Sequence, residues 1–385
     1  MKTRPFLSHR RADRNQVIAL KRTLALYGVG GWRDLDDLHL GGLGQPTFEH
    51  AINAVTGGFI WYGTKRVLGS RCVNNVELPP AIARKRRETH YPLVPLFVTV
   101  DPGEARKALA VPGALSNYDH KTFFEAHGLV RGRAPIACFR AEVARQYVRS
   151  AVKWLGQGSY TVAATALAEP AGTQDFTFDW RSVLDPTSRV LAGGAEAALV
   201  DALQRFRDAV RPTEPFPEVT LDLDLPLPMA MLLGYEWRVT SRLKLAIRQR
   251  RRSGTVTVKG DGRARSGWPA WRENVLGGSG PCVVAAATTA APLTNSVAAY
   301  ATSVGASRTI ELHAPGELDA AGLRGLARHI AATLRHVHST GAQKHLLLAG
   351  PCALAALVGA ASNANGPTVV PFWNGRGYAS PVAVG

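Results

Sequence analysis

The sequence contains little cysteine, only four residues in 385. These are Cys72, Cys138, Cys282 and Cys352, and no two of them form a C-x-x-C pair. Such wide spacing argues against a structural zinc site, and it gives no sign of the disulfide framework of small secreted domains.

Long hydrophobic segments are also missing. The uncharged run from Val275 to Ser307 is interrupted by Pro281 and Pro292 and is rich in Thr, Ser and Gly. It therefore lacks the roughly 20 predominantly apolar residues that a membrane span requires. The start, "MKTRPFLSHRR", has an apolar patch of only three residues, which is too short for a signal peptide. We expect a soluble cytoplasmic protein without a membrane partner.

Acidic side chains are in the minority. The chain has 29 Asp and Glu against 46 Lys and Arg, so its formal net charge is +17. An excess of this size favours anionic partners such as nucleotides, nucleic acid or an acidic surface, although solubility alone is an alternative. Residues 242–265 hold nine of the cations and one acid, Asp261. This stretch is either a solvated basic face, or it covers ligand phosphates or contacts another subunit.

The N-terminal part alternates strand and helix signals. "RPFLS" predicts a short strand, and "ADRNQVIALKRTLALYG" predicts a helix with apolar residues at helical spacing. The runs "GGFIWYGT" and "PLVPLFVTV" are continuously apolar between breakers, as buried parallel strands tend to be. "TFEHAINAV" and "RAEVARQYVRSAVKWLG" predict two further helices. This β-α series of about 150 residues predicts a parallel α/β domain.

The second part, from about Tyr160, contains another α/β series. "VTLDLDLPLP" alternates strictly, which predicts a strand with its leucines through Leu227 on one face. From Cys282 onward, strands and helices alternate to the end, which predicts a doubly wound Rossmann-like unit. Its strands end in "HAPG" and "LAGP", where ligands of open α/β sheets bind. No G-x-G-x-x-G opens a helix, so we expect no ordinary dinucleotide cofactor.

Three N-terminal motifs together resemble TIR domains. They are "FLSHRRADR" at the first strand, a Trp- and Gly-rich loop after the first helix, and "SRCVNNVEL" after "FIWYGT". The resemblance covers about residues 3–156, and we assign a flavodoxin-like TIR domain to residues 1–156. Many prokaryotic TIR domains cleave NAD+ at the nicotinamide–ribose bond. The resemblance therefore implies an NAD+ nucleosidase that uses NAD+ as substrate and needs no cofactor or metal.

Glu77 matches the essential glutamate of these enzymes. Nicotinamide leaves as a neutral molecule, so one carboxylate that stabilises an oxocarbenium-like transition state can suffice. The sequence departs from the family, because four residues separate Cys72 from Glu77 and Pro79 and Pro80 replace the usual helix continuation. The structural alternative is that Glu77 complements the N-terminus of the helix that these prolines begin.

The resemblance also implies contacts with NAD+ from residues around Glu77. Each of these could equally be an exposed loop residue without a role. The acids that follow in the same loop, from Asp34 to Asp37, fit no metal motif. The implied NAD+ contacts are Ser8, His9, Arg10, Trp32, Arg33 and Cys72.

The C-terminal part resembles the SAVED domain, in which two CARF-like Rossmann-type halves are fused. The resemblance rests on "LDLPLPMAMLLGYEWR", "IELHAPGELDAAGLRGLARHI", "HLLLAGPCALAALVGAA" and "VVPFWNGRGYASPV". It covers residues 160–385. SAVED domains bind cyclic oligonucleotides that are made during phage infection. The two resemblances together imply a TIR–SAVED effector of CBASS-type anti-phage defence. Cyclic tri-adenylate suits the expected ring size, and cyclic dinucleotides and tetranucleotides remain open.

Residues at the strand ends of this part are the candidate ligand contacts. Glycines there let backbone donors approach a phosphate, aromatic rings stack on adenines, and cations meet phosphates. For each tryptophan the alternative is a place in the core. The candidates are Trp237, Arg238, His313, Gly316, Gly350, Pro351, Trp373, Arg376 and Tyr378.

Three functions are compatible with the sequence. The first is an NAD+-cleaving effector that stays silent until the sensor captures a cyclic oligonucleotide and the chains assemble head to tail into an oligomer or filament. The second is a non-catalytic TIR scaffold gated by the same ligand. The third, a binder of long nucleic acid, rests on charge alone and would show a steep salt dependence. We expect no long nucleic acid as partner.

Overall fold

A computed structural model describes most of the chain. Its contacts divide the chain into two compact units, residues 1–157 with 171–179, and residues 158–170 with 180–385. The described residues are 2–31, 45–109, 117–126, 128–156, 158–169, 174–211, 216–251, 254–268, 271–291, 293–314 and 316–385.

The first unit is an α/β domain with the predicted alternation. Its elements are β1 (Pro5–Ser8), α1 (Arg14–Leu26), α2 (Gln45–His50), β2 (Gly58–Gly63), α3 (Lys65–Leu68), α4 (Leu78–Arg87), β3 (Leu93–Phe97), α5 (Pro102–Leu109), α6 (Asn117–Glu125), β4 (Leu129–Val130) and α7 (Ile136–Leu155). Two π-helical turns, Ala51–Val55 and Val73–Glu77, and a 3-10 turn, Arg11–Asp13, complete these elements. The strand Phe176–Asp179 (β6) also belongs to this unit.

The sheet of the first unit is parallel, in the order β1-β2-β3-β4. All residues of β1, β2 and β3 are buried, as their continuous apolar sequence predicts. A flavodoxin-like sheet has its first strand inside, flanked by the second. Among the described strands of this sheet, β1 lies at the edge. The parallel α/β class is therefore found here, whereas the flavodoxin order stays a prediction.

The helix around Glu77 begins earlier than predicted. Helical backbone starts at Arg71, widens into the π turn Val73–Glu77 and continues as α4. Pro79 and Pro80 lack backbone N–H groups, and their rings clash with the carbonyls of a tight preceding turn. A π turn relieves such conflicts and is frequent at functional sites. Glu77 consequently lies inside a continuous helical segment, and its side chain makes no capping hydrogen bond.

The second unit contains two sheets. Its strands are β5 (Ser159–Thr165), β7 (Glu218–Asp224), β8 (Lys244–Arg251), β9 (Gly254–Lys259), β10 (Arg272–Val275), β11 (Cys282–Ala287), β12 (Arg308–His313), β13 (Lys344–Ala349), β14 (Thr368–Trp373) and β15 (Tyr378–Val384). Its helices are α8 (Ala195–Val210), α9 (Leu227–Glu236), α10 (Thr294–Ser303), α11 (Ala320–Ser339) and α12 (Cys352–Ala361), with 3-10 turns at Arg181–Val183 and Val239–Ser241.

One sheet places β5, β7, β8 and β9 next to each other in that order, with only the β8–β9 pair antiparallel. The other sheet has the order β10-β12-β11-β13-β14-β15. Its four inner strands are parallel, and both edge strands run antiparallel. Because β12 and β13 flank β11 on opposite sides, the strand order reverses between β11 and β13. This reversal is the topological switch point of a doubly wound sheet.

The alternating run of the second unit is shorter than predicted. The strand ends at Asp224, and Leu227 begins α9 instead of extending the strand. Pro226 is the reason, because it lacks the N–H that a ladder requires and suits a helix start. The hairpin β8–β9 and the edge strands β10 and β15 were not predicted.

Helices α9 and α12 pack closely on each other. A Cβ atom on Gly234 would collide with the backbone carbonyl of Ala356, and one on Gly359 with that of Met231. The two glycines therefore allow the helix backbones to touch. Among the described helices, none offers the length and apolar character that a bilayer crossing demands.

Candidate functional site

Three of the residues predicted around NAD+ meet in the first unit. The hydroxyl of Ser8 donates to Oε2 of Glu77 over 2.6 Å, and the thiol of Cys72 lies 3.5 Å from Oε1. Ser8 is 1% exposed and Glu77 is 6% exposed, whereas Cys72 lies at the surface. Both carboxylate oxygens of Glu77 are therefore oriented, and the thiol marks the side of the cluster that faces solvent.

The backbone explains how this cluster forms. Ser8 is the last residue of β1, so it lies at the carboxyl edge of the parallel sheet, opposite Trp61 of β2. Glu77 ends the π turn. The turn is fastened to the segment before it, because the amide of Asn74 donates to the carbonyl of Leu68 over 2.7 Å. Residues 69 positions apart are thus joined at the sheet edge where α/β enzymes bind ligands.

The other predicted NAD+ contacts are not part of this cluster as the structure describes it. Nδ1 of His9 lies 2.9 Å from the carbonyl oxygen of Leu7, and Arg10 is exposed before the 3-10 turn. Trp32 and Arg33 lie outside the described residues, as does the segment from Asp34 to Asp37.

One polar pair near this edge was missed by sequence reasoning. The hydroxyl of Thr64 donates to Oδ2 of the buried Asp13 over 2.8 Å, and Arg66 lies 3.8 Å from the other carboxylate oxygen. Thr64 directly follows β2, and Asp13 precedes α1. The sequence signal that could have revealed this pair is Thr64, a polar residue immediately after a buried strand.

In the second unit, a cavity of about 560 Å³ collects three of the predicted ligand contacts, Gly350, Trp373 and Tyr378. Such a volume lies within the range of small-molecule sites. Its walls are largely apolar, with hydroxyl and backbone groups between them. The lining residues are Leu225, Pro226, Leu227, Pro228, Thr289, Ala291, Leu293, Ser296, Leu348, Ala349, Gly350, Cys352, Val370, Pro371, Trp373 and Tyr378.

This cavity lies at the switch point. Thr289 follows β11 and Gly350 follows β13, the two strands between which the order reverses. Helices α9 and α12, each of ten residues, begin at the cavity with Leu227 and Cys352. The positive end of the helix dipole favours an anion at such positions, although in α9 the N–H groups of Met229 and Ala230 already donate to the carbonyl of Pro226. The arrangement therefore suits an organic ligand that carries phosphates.

Two aromatic rings form one wall. Trp373 is 50% exposed, and its ring centroid lies 5.2 Å from that of Tyr378 in an edge-to-face arrangement. Tyr378 is also edge-to-face with Tyr300 at 5.7 Å. Burial raises the pKa of Tyr378 to about 12, so its hydroxyl remains a hydrogen-bond donor at neutral pH. Trp373 has the free ring face that stacking on a base requires.

A smaller cavity of about 170 Å³ contains Gly316 and Pro351. Gly316 has φ of +120°, a conformation that other residues rarely adopt, and its N–H lies 3.3 Å from the carbonyl oxygen of Thr288. A Cβ on Gly350 would come within 2.7 Å of Oγ1 of the same threonine. Thr288 thus packs against the backbone of both loops that follow the strand ends.

Trp237 was predicted to stack on a base, and the structure corrects this. It is fully buried, its ring stacks on Phe206 at 4.9 Å, and its Nε1 donates to the carbonyl of Leu203 over 2.9 Å. Both partners lie on α8, against which α9 packs. Trp237 is a core residue, because its ring packs on Phe206, its Nε1 is hydrogen-bonded and none of its surface is exposed.

The predicted cations are not lining residues of either strand-end cavity. The guanidinium of Arg238 lies over the ring of Tyr235 at 4.1 Å and donates to the carbonyl of that residue. Nε2 of His313 lies 2.9 Å from the carbonyl oxygen of Thr289, which does line the larger cavity. Arg376 is exposed in the turn between β14 and β15.

Comparison with known proteins supports the C-terminal resemblance. Residues 200–380 match the model of the SAVED family, described as "SMODS-associated and fused to various effectors sensor domain". The predicted SAVED resemblance is therefore confirmed for these residues. The match begins at residue 200, so the TIR resemblance of the N-terminal part stays a prediction. No curated protein matches the sequence.

Solved structures with a similar fold include Cap4 SAVED/CARF-domain containing receptors. That of Acinetobacter baumannii with the cyclic trinucleotide 3'3'3'-cAAA is 12% identical, with a TM-score of 0.51 over 88% of this chain and 84% of that one. That of Moraxella osloensis is 11% identical, with a TM-score of 0.47 over 89% and 84%. At 12% identity, the likeness to the Acinetobacter receptor concerns the fold alone. The TM-score of the Moraxella receptor is too low to support a conclusion.

Proposed function

We propose that this protein is a cyclic-oligonucleotide sensor of CBASS-type anti-phage defence that controls NAD+ cleavage by its N-terminal unit. The observation that carries the sensing role is the 560 Å³ cavity at the switch point, within a segment that matches a sensor family. The Acinetobacter receptor of similar fold was solved with 3'3'3'-cAAA, which makes this cyclic trinucleotide the first activator to test.

In the sensing role, the aromatic wall of the cavity binds a base, and the helix N-termini bind phosphates. Trp373 stacks on one base, a contact that contributes about 1–3 kcal/mol. The positive ends of the α9 and α12 helix dipoles attract the phosphates, assisted by the backbone at Gly350. The apolar walls exclude water from the bound ring, which strengthens these polar contacts.

In the catalytic role, Glu77 faces the positive charge that develops on the ribose. The nicotinamide–ribose bond breaks and its electron pair leaves with neutral nicotinamide. Water then adds to C1′ and releases one proton, which yields ADP-ribose. Ser8 holds Oε2 of Glu77, so the carboxylate is oriented before the reaction. This role depends on the N-terminal resemblance and on the cluster of Ser8, Cys72 and Glu77.

Activation requires Glu77 to become accessible. At 6% exposure the carboxylate offers little surface to a substrate, which suits an enzyme that must not consume the NAD+ of its own cell. We assign the opening to self-association of ligand-bound chains, head to tail, in an oligomer or filament.

The test measures nicotinamide release from NAD+ with and without 3'3'3'-cAAA, together with light scattering. We expect ligand-dependent turnover that rises with protein concentration. Glu77→Gln should lower turnover by about 10²–10³-fold and leave trinucleotide affinity unchanged. Glu49→Gln, an exposed carboxylate on α2, is the matched control and should retain turnover.

Near-normal turnover in folded Glu77→Gln protein would remove the catalytic assignment. Trinucleotide binding without any nicotinamide release would instead favour the non-catalytic scaffold. Full turnover in a strictly monomeric, ligand-bound sample would refute the assembly step.

A further inference from the structure

The second unit has another cavity, of about 320 Å³, away from the strand ends. Its floor is apolar and comes from β8, α11 and α12, and most of its charged rim is basic. The lining residues are Phe216, Arg242, Leu243, Lys244, Leu245, Gly260, Asp261, Arg324, Ala327, Arg328, Leu357, Ala360 and Ala361.

This cavity is separate from the 560 Å³ cavity lined by Gly350, Trp373 and Tyr378, which we call the sensor cavity. Lys244 begins β8 and Gly260 directly follows β9, so the cavity lies at the amino edge of the sheet in which β7 and β8 run parallel. Helix α12 joins the two regions, since Cys352 lines the sensor cavity and Ala361 lines this one. About 14 Å of helix lies between these two residues.

Four cations and one acid surround the apolar floor. Arg324 is held across the turn after β9, because its Nε donates to the carbonyl of Arg263 over 2.6 Å. Arg328 reaches the carbonyl of Gly262 over 3.4 Å. A carbonyl partner orients a guanidinium but does not neutralise its positive charge. Within the described residues no ion pair joins these two arginines, Arg242 or Lys244 to an acid.

Arg242 has an unusual backbone. Its φ is +61°, in the left-handed region that costs a side-chain-bearing residue about 1–3 kcal/mol. Its guanidinium lies 5.7 Å from the ring of Phe216, which is 40% exposed beside the cavity. Strained residues persist where the surroundings hold them, and they are frequent at ligand clamps. Arg242 and Phe216 both line the cavity, so a cation and an aromatic ring meet at its opening.

We propose that this cavity is a second ligand site, for a small organic anion with an apolar body, such as an aromatic or acyl carboxylate, sulfonate or phosphate ester. The apolar floor takes the body, and Arg242 and Lys244 take the anionic group. Asp261, exposed on the same rim, disfavours a ligand with a second negative charge, because it carries the same sign. This site does not depend on NAD+ cleavage or on cyclic-oligonucleotide binding.

The test uses the full chain and two fluorescent probes that differ in charge. 1-Anilinonaphthalene-8-sulfonate carries an anion, and N-phenyl-1-naphthylamine has the same aromatic body without it. Arg242→Gly removes the cation and places glycine at a positive φ that suits it, so we expect the fold to be preserved. Arg189→Gly is the matched control, because Arg189 is exposed and also has a positive φ, of 55°.

We expect saturable binding of the sulfonate at one site. Arg242→Gly should weaken it about tenfold, as the loss of a charge-assisted contact does, and Arg189→Gly should leave it unchanged. The uncharged probe should bind more weakly to the parent protein and respond less to Arg242→Gly. Ala360→Phe, which fills the cavity, should abolish sulfonate binding, and Trp373→Ala should not.

Equal losses in the two arginine variants would overturn the proposal, because bulk charge would then explain the binding. It would also fail if Trp373→Ala abolished binding, since the sulfonate would then occupy the sensor cavity. Sedimentation velocity gives the third check. Self-association that the sulfonate reverses, and that Ala360→Phe prevents, would show that a second copy of the chain occupies this cavity instead of a small ligand.

Discussion

Trp237 and Trp373 look alike as candidate stacking residues, and alanine substitution should separate them. Trp373 is half exposed in the wall of the sensor cavity, whereas Trp237 is enclosed between α8 and α9. We expect Trp373→Ala to weaken trinucleotide binding with little change in stability. We expect Trp237→Ala to lower stability and to affect binding only through unfolding.

The magnitudes follow from the contacts. Loss of one base–aromatic stack at about 1–3 kcal/mol corresponds to a roughly 5- to 150-fold rise in Kd for Trp373→Ala. Trp237→Ala leaves a large cavity in the core and costs about 3–5 kcal/mol. For a unit of this size each kcal/mol lowers Tm by about 2–4 °C, so the expected drop is roughly 6–20 °C.

Calorimetric titration with 3'3'3'-cAAA, well below the Tm of each variant, and thermal unfolding measure the two effects separately. Trp373→Phe keeps an aromatic face and should retain most of the affinity. An unchanged Kd for Trp373→Ala would refute the stacking role. Loss of affinity in Trp237→Ala without a lower Tm would refute its place in the core.

Two further predictions concern stability. Arg84→Met should lower the free energy of unfolding by roughly 2–5 kcal/mol, because the buried guanidinium donates to the carbonyls of Ile52 and Thr56 and to the carboxylate of Glu88, and all three hydrogen bonds would be lost. Arg86→Met, at the surface of the same helix, should change it by less than about 0.5 kcal/mol in the same urea titrations; similar losses would contradict this difference. Burial lowers the pKa of His345, so the folded state holds the ring neutral and stability should fall as the pH drops below about 6.5. His345→Asn should flatten that part of the curve of unfolding free energy against pH, with a residual slope from His329, whose pKa burial also lowers; an unchanged slope would exclude His345 as its source.

Sequence reasoning succeeded where one local pattern was enough. The apolar strand "GGFIWYGT" has nearly the predicted bounds, and the helix ends at Leu155 as predicted, because breakers stop both patterns; that helix begins at Ile136, four residues before the predicted start. The "LAGP" end was correctly expected beside a cavity, since the carboxyl ends of parallel strands share one edge.

Local sequence does not distinguish residues of the same type that have different partners. Arg84, Arg86 and Arg87 stand together in "ARKRR", yet only Arg84 enters the core, where its guanidinium lies 4.5 Å from the centre of the Tyr91 ring. Pro79 and Pro80 predicted a helix start, because a π turn that accommodates them has no local signature.

Periodicity and breakers in the chain thus specify the α/β class, most strands and helices, and the edge of each sheet where polar residues gather. These features depend on neighbours within a few residues. Tertiary packing decides that Ser8 donates to Glu77 across 69 positions, that Trp237 is enclosed by α8, and that Trp373 keeps a free face. Burial and hydrogen bonding are set by residues that are distant in the chain and near in space, so local sequence carries no record of them.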